Sequence, residues 1–410
     1  MIDNMAESQY CGYILDAINE TLRYSKRREF YKQRLREVSA FIELVKEKFF
    51  TYRRDILNNY SEFLDSDICK YGIVFRSSGT TGRSIFSFYS KKDIQLIDLL
   101  CHRVSSKIGI NCGDVGLINI PMELIMPGYF MQRLLLVSGA MVIPAGSFML
   151  SPKEVFKLLK KFEVSIYLGY LSSLMRIVEE NENISDHNLR IAILGGEPIS
   201  NKRRKILENL LDIDIYGSWG MSEVFWPLGS ECKSKNGYHY MRDIIFIEVV
   251  NPQTRTPIDW KNKNVEGALV ITTLKREGMP LLRYWTNDLV KIENSTCSCG
   301  EADHRIIIKD KLDFAIKVND KLLNTYDLDE IILTENIWEY QVNISKGNPD
   351  SIKIKIVIEP FKDTIITSDE IYEIKHNFVD TFGIEPVITK VGWKKIRRPT
   401  LKRRRIFMYE

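Results

Sequence analysis

The feature that most constrains this chain is a run of short apolar segments alternating with amphipathic ones. Residues 117–120, 140–144, 164–168, 191–194 and 213–216 are brief and rich in Ile, Val and Leu, whereas 152–162 and 171–180 between them repeat their apolar residues at helical spacing. Strands joined through helices lie parallel, and a parallel sheet has to be covered on both faces. The alternation predicts an α/β fold with a mostly parallel, helix-covered sheet, in which ligands sit beyond the carboxyl ends of the strands.

Around that core the pattern changes twice. From Met241 the period becomes two, and residues 244–250, 267–273 and 281–290, with a turn at 251–254, predict an antiparallel β subdomain over 230–305. Past Arg305 a small α+β unit is expected, with strands at 314–318, 340–345 and 351–358 and helices at 328–336 and 369–382. Residues 1–70 alternate apolar with charged positions at helical spacing and form a helical entry to the large domain. The expected organisation is therefore N-terminal helices over 1–70, a core over 71–309 and a small C-terminal unit over 310–410; that last boundary rests on the pattern change alone.

Composition narrows the function classes. With 44% apolar and 27% charged residues the chain is globular, and a net charge of +4 is too small to argue for nucleic-acid binding by itself. Position matters more, because Lys394, Lys395, Arg397, Arg398, Lys402, Arg403, Arg404 and Arg405 gather near the C-terminus. The polar first ten residues do not read as a secretory signal, and the most apolar stretch, 134–144, is too short and too broken to span a bilayer. Seven cysteines in such a chain are expected as thiols or metal ligands, and the location as cytoplasmic.

Three stretches carry candidate chemistry. Ser77-Ser78-Gly79-Thr80-Thr81-Gly82 lies between two strand-like runs; it reads either as a hairpin turn or as a loop whose backbone and hydroxyls hold phosphate. Its spacing is not that of a P-loop NTPase. Gly195-Gly196-Glu197-Pro198 and Trp219-Gly220-Met221-Ser222-Glu223 follow strands as loops, and each could be an ordinary turn. Separately, Cys232, His239, Cys297 and Cys299 offer soft thiolates and one imidazole for a tetrahedral Zn²⁺, with His304 as a rival imidazole and free thiols as the alternative. His102, His187 and His376 show no partners in sequence.

Taken in order, these motifs resemble those of the adenylate-forming ligases, the superfamily of acyl-CoA synthetases, peptide-synthetase adenylation domains and luciferases. Tyr284-Trp285-Thr286-Asn287-Asp288 stands where that family has Tyr-Arg-Thr-Gly-Asp, and Lys311-Leu312-Asp313 through Lys317 where it has Arg-x-Asp-x-x-x-Lys. Within it the chain is most similar to the phenylacetate-CoA ligase branch, through Glu231-Cys232, Gly237-Tyr238-His239, Glu248 to Thr254, and Cys297-Ser298-Cys299-Gly300. Trp219 replaces an expected tyrosine and Asn287 a glycine, and the C-terminal Pro-Arg-x-x-x-Gly-Lys signature is degraded to Arg398-Pro399-Thr400-Leu401-Lys402.

The resemblance implies an ATP-dependent, AMP-forming ligase. It would adenylate an aryl or acyl carboxylic acid and transfer it to a thiol, either coenzyme A or carrier-protein phosphopantetheine. Ser77 to Gly82 would hold the β- and γ-phosphates, Glu223 a Mg²⁺ ion, and Ser222 the α-phosphate; Asp288 would bind the ribose, while Trp219 and Gly196, Glu197 and Pro198 would wall the adenine. Lys311 would contribute to nucleotide binding and Lys402 would be the catalytic lysine, chosen among basic neighbours. The small C-terminal domain would swing about residues 310–313. Alternatives are transfer to a protein partner in the manner of an acyl-protein synthetase and a zinc-stabilised basic protein binding nucleic acid. An acidic carrier protein as partner and a homodimer are left open.

Overall fold

The computed structural model describes residues 7–77, 83–259, 264–301, 304–346, 352–398 and 404–409. Four helices lead: α1 (Glu7–Ser25), α2 (Glu29–Arg34), α3 (Phe41–Lys46) and α4 (Arg53–Asn59). Their apolar stripes bury Leu22, Phe30, Tyr31, Leu44 and Ile56 in the same core as the large sheet. Strands β1 (Tyr71–Arg76) and β2 (Phe86–Ser90) then form an antiparallel hairpin whose last pair is Arg76 with Phe86. The helix α5 (Lys91–Ile108) starts at once because Ser90 and Asp93 cap it reciprocally.

Alternation follows as the sequence predicts: β3 (Val115–Asn119), α6 (Met126–Val137), β4 (Met141–Ile143), α7 (Pro152–Lys161), β5 (Ile166–Gly169), α8 (Leu171–Glu180), β6 (Ile191–Gly195), α9 (Asn201–Leu211) and β7 (Asp214–Met221). These strands pair in parallel in the order β4-β3-β5-β6-β7. Next come β8 (Phe225–Ser230), β9 (Tyr238–Tyr240), β10 (Ile245–Val250), β11 (Val265–Thr273), β12 (Tyr284–Glu293) and β13 (Arg305–Lys311), all antiparallel to their neighbours. They extend the same sheet, giving one 11-stranded layer ordered β10-β11-β12-β13-β9-β8-β7-β6-β5-β3-β4. The join is β7 itself, which runs on past Tyr216 to pair with β8. Trp219, Gly220 and Met221, expected in a loop, are therefore strand residues, and only Ser222 to Val224 turn the chain.

The C-terminal part holds the hairpin β14 (Ile316–Val318) and β15 (Lys321–Leu323), then α10 (Thr325–Ile332), β16 (Ile337–Lys346), β17 (Ile352–Pro360), α11 (Ser368–Phe382), β18 (Val387–Lys390) and β19 (Ile406–Tyr409). Its four-stranded sheet is ordered β18-β17-β16-β19. The helix α10 begins three positions before the expected 328 because the Asn324 side chain accepts from the Asp327 amide at 3.0 Å and caps it there.

This part docks on α8 and α9. Trp338, Tyr340 and Ile356 share one apolar cluster with Leu174, Leu207 and Ile215. Buried polar links cross the same seam: Glu179 accepts from Trp338 Nε1 at 2.6 Å and lies 3.4 Å from Arg398, while Arg203 donates to the Trp338 carbonyl. Glu339 accepts from Arg405 at 2.7 Å, and Asp329 from Ser200 at 3.0 Å. Arg398 also pairs with Glu359. The basic tail is thus not the uniformly solvated cluster that composition suggested; Arg398 and Arg405 are spent on interior carboxylates.

Candidate active site

A cavity of about 510 Å³ opens at the carboxyl ends of β6 and β7, where a parallel sheet presents backbone that no following strand occupies. From β6 come Gly196, Glu197 and Pro198; from β7 and its turn come Trp219, Ser222 and Glu223; from β12 and β13 come Asp288 and Lys311. Ser77, at the end of the β1–β2 hairpin, completes the wall. Nine candidate residues scattered over more than two hundred positions therefore meet around one space. Ser78, Gly79, Thr80, Thr81, Gly82 and Lys402 lie outside the described residues.

The local geometry of each is determined by its strand. Gly196 has φ +75°, a left-handed conformation that lets the chain turn off β6. Glu197 accepts from both the amide and the hydroxyl of Ser172 at 2.9 Å, which ties this turn to the start of α8. Asn287 has φ +63°. Among residues with a side chain, asparagine is one of the few enriched there, so the glycine-to-asparagine departure keeps the turn. It leaves Asp288 opposite Lys311 across β12 and β13, with Lys311 Nζ 2.7 Å from Asp288 Oδ1. Asp288 is 4% exposed and its second oxygen, Oδ2, is buried without a hydrogen-bond partner. An ionised oxygen left so is costly unless a ligand donor completes it.

At the other end Ser77 Oγ accepts from the Ile85 amide at 2.9 Å, and the Tyr89 hydroxyl donates to the Ser222 carbonyl at 2.8 Å, holding the hairpin against the β7 turn. Arg53, the first residue of α4, donates to Glu223 Oε1 at 2.9 Å, to Ser77 Oγ at 3.3 Å and to the Arg83 carbonyl at 2.6 Å. Tyr284 lies against Glu223, and its burial pushes the phenol well above its ordinary pKa. Asp310, which accepts from the Thr325 and Lys311 amides at 2.8 Å, has its carboxyl raised by burial.

Sequence reading missed Arg53, Tyr170, Trp226 and Arg404, all on the cavity wall. Arg53 lies 170 residues from its partner Glu223 and belongs to no motif, so pairing in space was its only signal. Trp226 could have been suspected as a large ring directly after the Glu223 turn.

The four proposed zinc ligands form a second cluster, and none of them lines the cavity. The ligand atoms of Cys232, His239, Cys297 and Cys299 all lie within 4.8 Å of one another. Cys232 and Cys297 have their sulfurs 3.6 Å apart, and Cys299 Sγ is 3.5 Å from His239 Nε2. The far nitrogen of that ring, Nδ1, is 3.0 Å from Glu301, which Lys107 also engages at 2.6 Å. A carboxylate behind a ligating imidazole is the usual device for fixing its orientation. His304, the rival imidazole, is not in the cluster.

Comparison with known proteins agrees with this geometry. Residues 73–272 match the family model described as AMP-binding enzyme. A phenylacetate-coenzyme A ligase of Thermus thermophilus is 28% identical over 74% of this chain and 70% of its own length, and one of Escherichia coli is 25% identical over 87% and 83%. Among solved structures, 2-hydroxyisobutyryl-CoA ligase in the postadenylation state superposes with a TM-score of 0.84 at 18% identity, covering 98% of this chain and 90% of that one. The same ligase in the thioesterification state gives 0.69. No helix among the described residues is long and apolar enough to cross a membrane. With motif order, fold and cavity in agreement, residues 73–272 match an AMP-binding enzyme domain, and the chain as a whole is similar to the phenylacetate-CoA ligases.

Proposed function

We infer that this protein is an ATP-dependent, AMP-forming acid–thiol ligase: it activates a carboxylic acid as the acyl-adenylate and passes the acyl group to coenzyme A. The observation that carries this is the convergence on one cavity of residues from five separated motifs, with Asp288 Oδ2 buried and unpartnered among them. A ribose hydroxyl is the donor that such an oxygen lacks. Ser77 and the rest of its loop would take the outer phosphates, and Ser222 the α-phosphate, while Trp219 and Gly196 to Pro198 would wall the base.

Glu223 fits Mg²⁺ as a hard oxygen ligand beside the phosphate loop, and the ion would neutralise charge on the phosphates. Arg53, already paired with Glu223, keeps that carboxylate oriented toward the cavity. In the first half-reaction the acid's carboxylate attacks the α-phosphorus and pyrophosphate leaves; in the second a thiolate attacks the acyl carbon and AMP leaves. Neither step needs a covalent enzyme intermediate, so orientation and charge placement carry the rate.

Lys402 would supply the positive charge that bridges acid and α-phosphate. Arg404 and Ile406, just beyond it, line the cavity together with Phe314 and Thr325, which supports an arrangement suited to adenylation. The C-terminal unit would then turn about residues 310–313 for thioester formation. The docking seam on α8 and α9 would have to part for it to do so. Coenzyme A is the acceptor the relatives' names favour; a carrier-protein phosphopantetheine is the second reading, supported by Lys394, Lys395 and Arg397. The four-ligand cluster fits structural Zn²⁺ by donor type and proximity. Metal analysis of purified protein should find about one Zn²⁺ per chain on that reading.

The test is acid-dependent pyrophosphate release across aromatic and fatty acids, followed by thioester formation on coenzyme A. Lys402→Ala is expected to lower the first half-reaction about 10²–10³-fold, the scale for removing one preorganised charge-stabilising contact. Absence of pyrophosphate release and of AMP with every acid would overturn the reading.

A further inference from the structure

The C-terminal unit completes the cavity: Phe314, Thr325, Arg404 and Ile406, all beyond residues 310–313, stand on its wall beside residues of the large domain. If these walls enclose the adenylation site, as the proposed function requires, the hold of α8 and α9 on the unit decides how often that site is whole. The apolar part of the seam, Leu174 and Leu207 against Trp338 and Ile356, resists separation but has no direction of its own. The polar links within it set the docked geometry, because a buried hydrogen bond is made in one arrangement and lost in others.

Three of these links share one construction. Glu179 of α8, 6% exposed, accepts from Trp338 Nε1 at 2.6 Å and stands 3.4 Å from Arg398 Nε, while Arg398 donates to Glu359 of its own unit at 2.9 Å. Arg203 of α9 lies 3.7 Å from Glu339, which accepts from Arg405 of its own unit at 2.7 Å. Ser200, just before α9, donates to Asp329 at 3.0 Å, and Asp329 also accepts from the Tyr340 hydroxyl at 2.8 Å. On the C-terminal side, Arg398, Glu339 and Asp329 each keep a partner that travels with them. Undocking therefore strands none of the three as a lone ion, the outcome that makes a buried pair costly to break. The links are specific when closed and releasable when open. Glu179 holds the unit at two points at once, the indole near the start of β16 and the guanidinium beyond β18.

We propose that Glu179 is a positioning residue for adenylation: through Trp338 and Arg398 it latches the C-terminal unit in the arrangement that closes the cavity, and release of that latch admits the arrangement for thioester formation. Glu179 is not on the cavity wall, so it touches no reacting atom and acts only through the unit it holds. This deepens the proposed function and rests on it. Adenylation then scales with the docked fraction and thioester formation with the undocked one, so the ratio of the two rates follows the docking equilibrium whichever state predominates.

The experiment measures the two half-reactions separately in wild type, Glu179→Gln and Glu179→Ala. The first is read as acid-dependent pyrophosphate release, the second as thioester formation from coenzyme A and the synthetic acyl-adenylate of the acid that wild type activates best. Glutamine keeps an acceptor for Trp338 and removes the charge beside Arg398, which still has Glu359; alanine removes both. The ratio of adenylation rate to thioester rate should fall about tenfold in Glu179→Gln, mid-range for the coupling of two residues in contact, and further in Glu179→Ala. An unchanged or raised ratio in the folded variants overturns the proposal, and an equal fall in both half-reactions, the mark of a merely structural role, is such a result. Because Glu179→Ala leaves a void that can unfold the chain, the nearly isosteric Glu179→Gln decides the matter by itself; if it too fails to fold, Glu179 belongs to the core and the latch is overturned. A wild type that releases no pyrophosphate with any acid overturns the function reading and this inference with it; activity with an unmoved ratio overturns only the inference.

Discussion

At the scale of single residues, the site contains one carboxylate held half-satisfied. Asp288 spends one oxygen on Lys311 and leaves the other buried with no donor, a state that costs free energy until a ligand arrives. Asp288→Asn would retain the shape but lose the charge from both contacts. A hydrogen bond to a charged group contributes about 1.5–3 kcal/mol, so KM for ATP should rise roughly 10–150-fold. The turnover rate at saturating ATP should fall much less, since the contact is made equally in ground and transition states. Initial rates of pyrophosphate release over an ATP titration would show it; a fall in kcat with KM unmoved would remove Asp288 from the nucleotide site. Asn287 makes a related point. Its left-handed φ of +63° shows that a departure from a family glycine need not be a departure in backbone, since asparagine tolerates that region.

At the scale of elements, charged groups are buried both in the seam between α8, α9 and the C-terminal sheet and within that sheet. Arg405, just before β19, is 6% exposed and ion-paired with Glu339 on β16, and Arg203 of α9 lies 3.7 Å from the same carboxylate. Removing Arg405 leaves Glu339 buried without its hydrogen-bonded partner and with only the more distant Arg203 as counter-charge. Arg405→Met should therefore destabilise the protein by about 3–5 kcal/mol, read as a lower midpoint in urea with an unchanged slope. A substitution of this arginine intended to probe partner docking would report on folding instead. If its stability matched wild type, the residue would belong to the solvated tail after all.

At the scale of the molecule, much was legible in the sequence because periodicity is dictated by burial. The alternation over 117–216 announced the parallel strands, and the change of pattern after Met241 announced β10 to β12, although the structure buries those strands on both faces. Legibility failed where tertiary pairing overrides local pattern. Trp219 to Met221 look like a loop, yet β8 recruits them into β7. Arg53 and Trp226 reach the cavity from elements with no motif of their own. Arg398 and Arg405 look like solvent charges until Glu359 and Glu339 are placed beside them. One feature legible at both levels is the quartet Cys232, His239, Cys297 and Cys299. Zinc held there would be part of folding free energy, because metal that binds only the native state stabilises it by mass action. Cys297→Ser, or prolonged treatment with a chelator, should lower the melting temperature while sparing activity per folded molecule; thermal scans with and without added zinc would measure it, and identical curves would mean a site without metal. The quartet also has an order in time. Cys297 leaves the ribosome 65 residues after Cys232, so a nascent chain can offer only half a site until β10, β11 and β12 have all been made. On the zinc reading, capture of the ion by all four ligands would be a late event, and metal content would follow how many newly made molecules have finished the sheet.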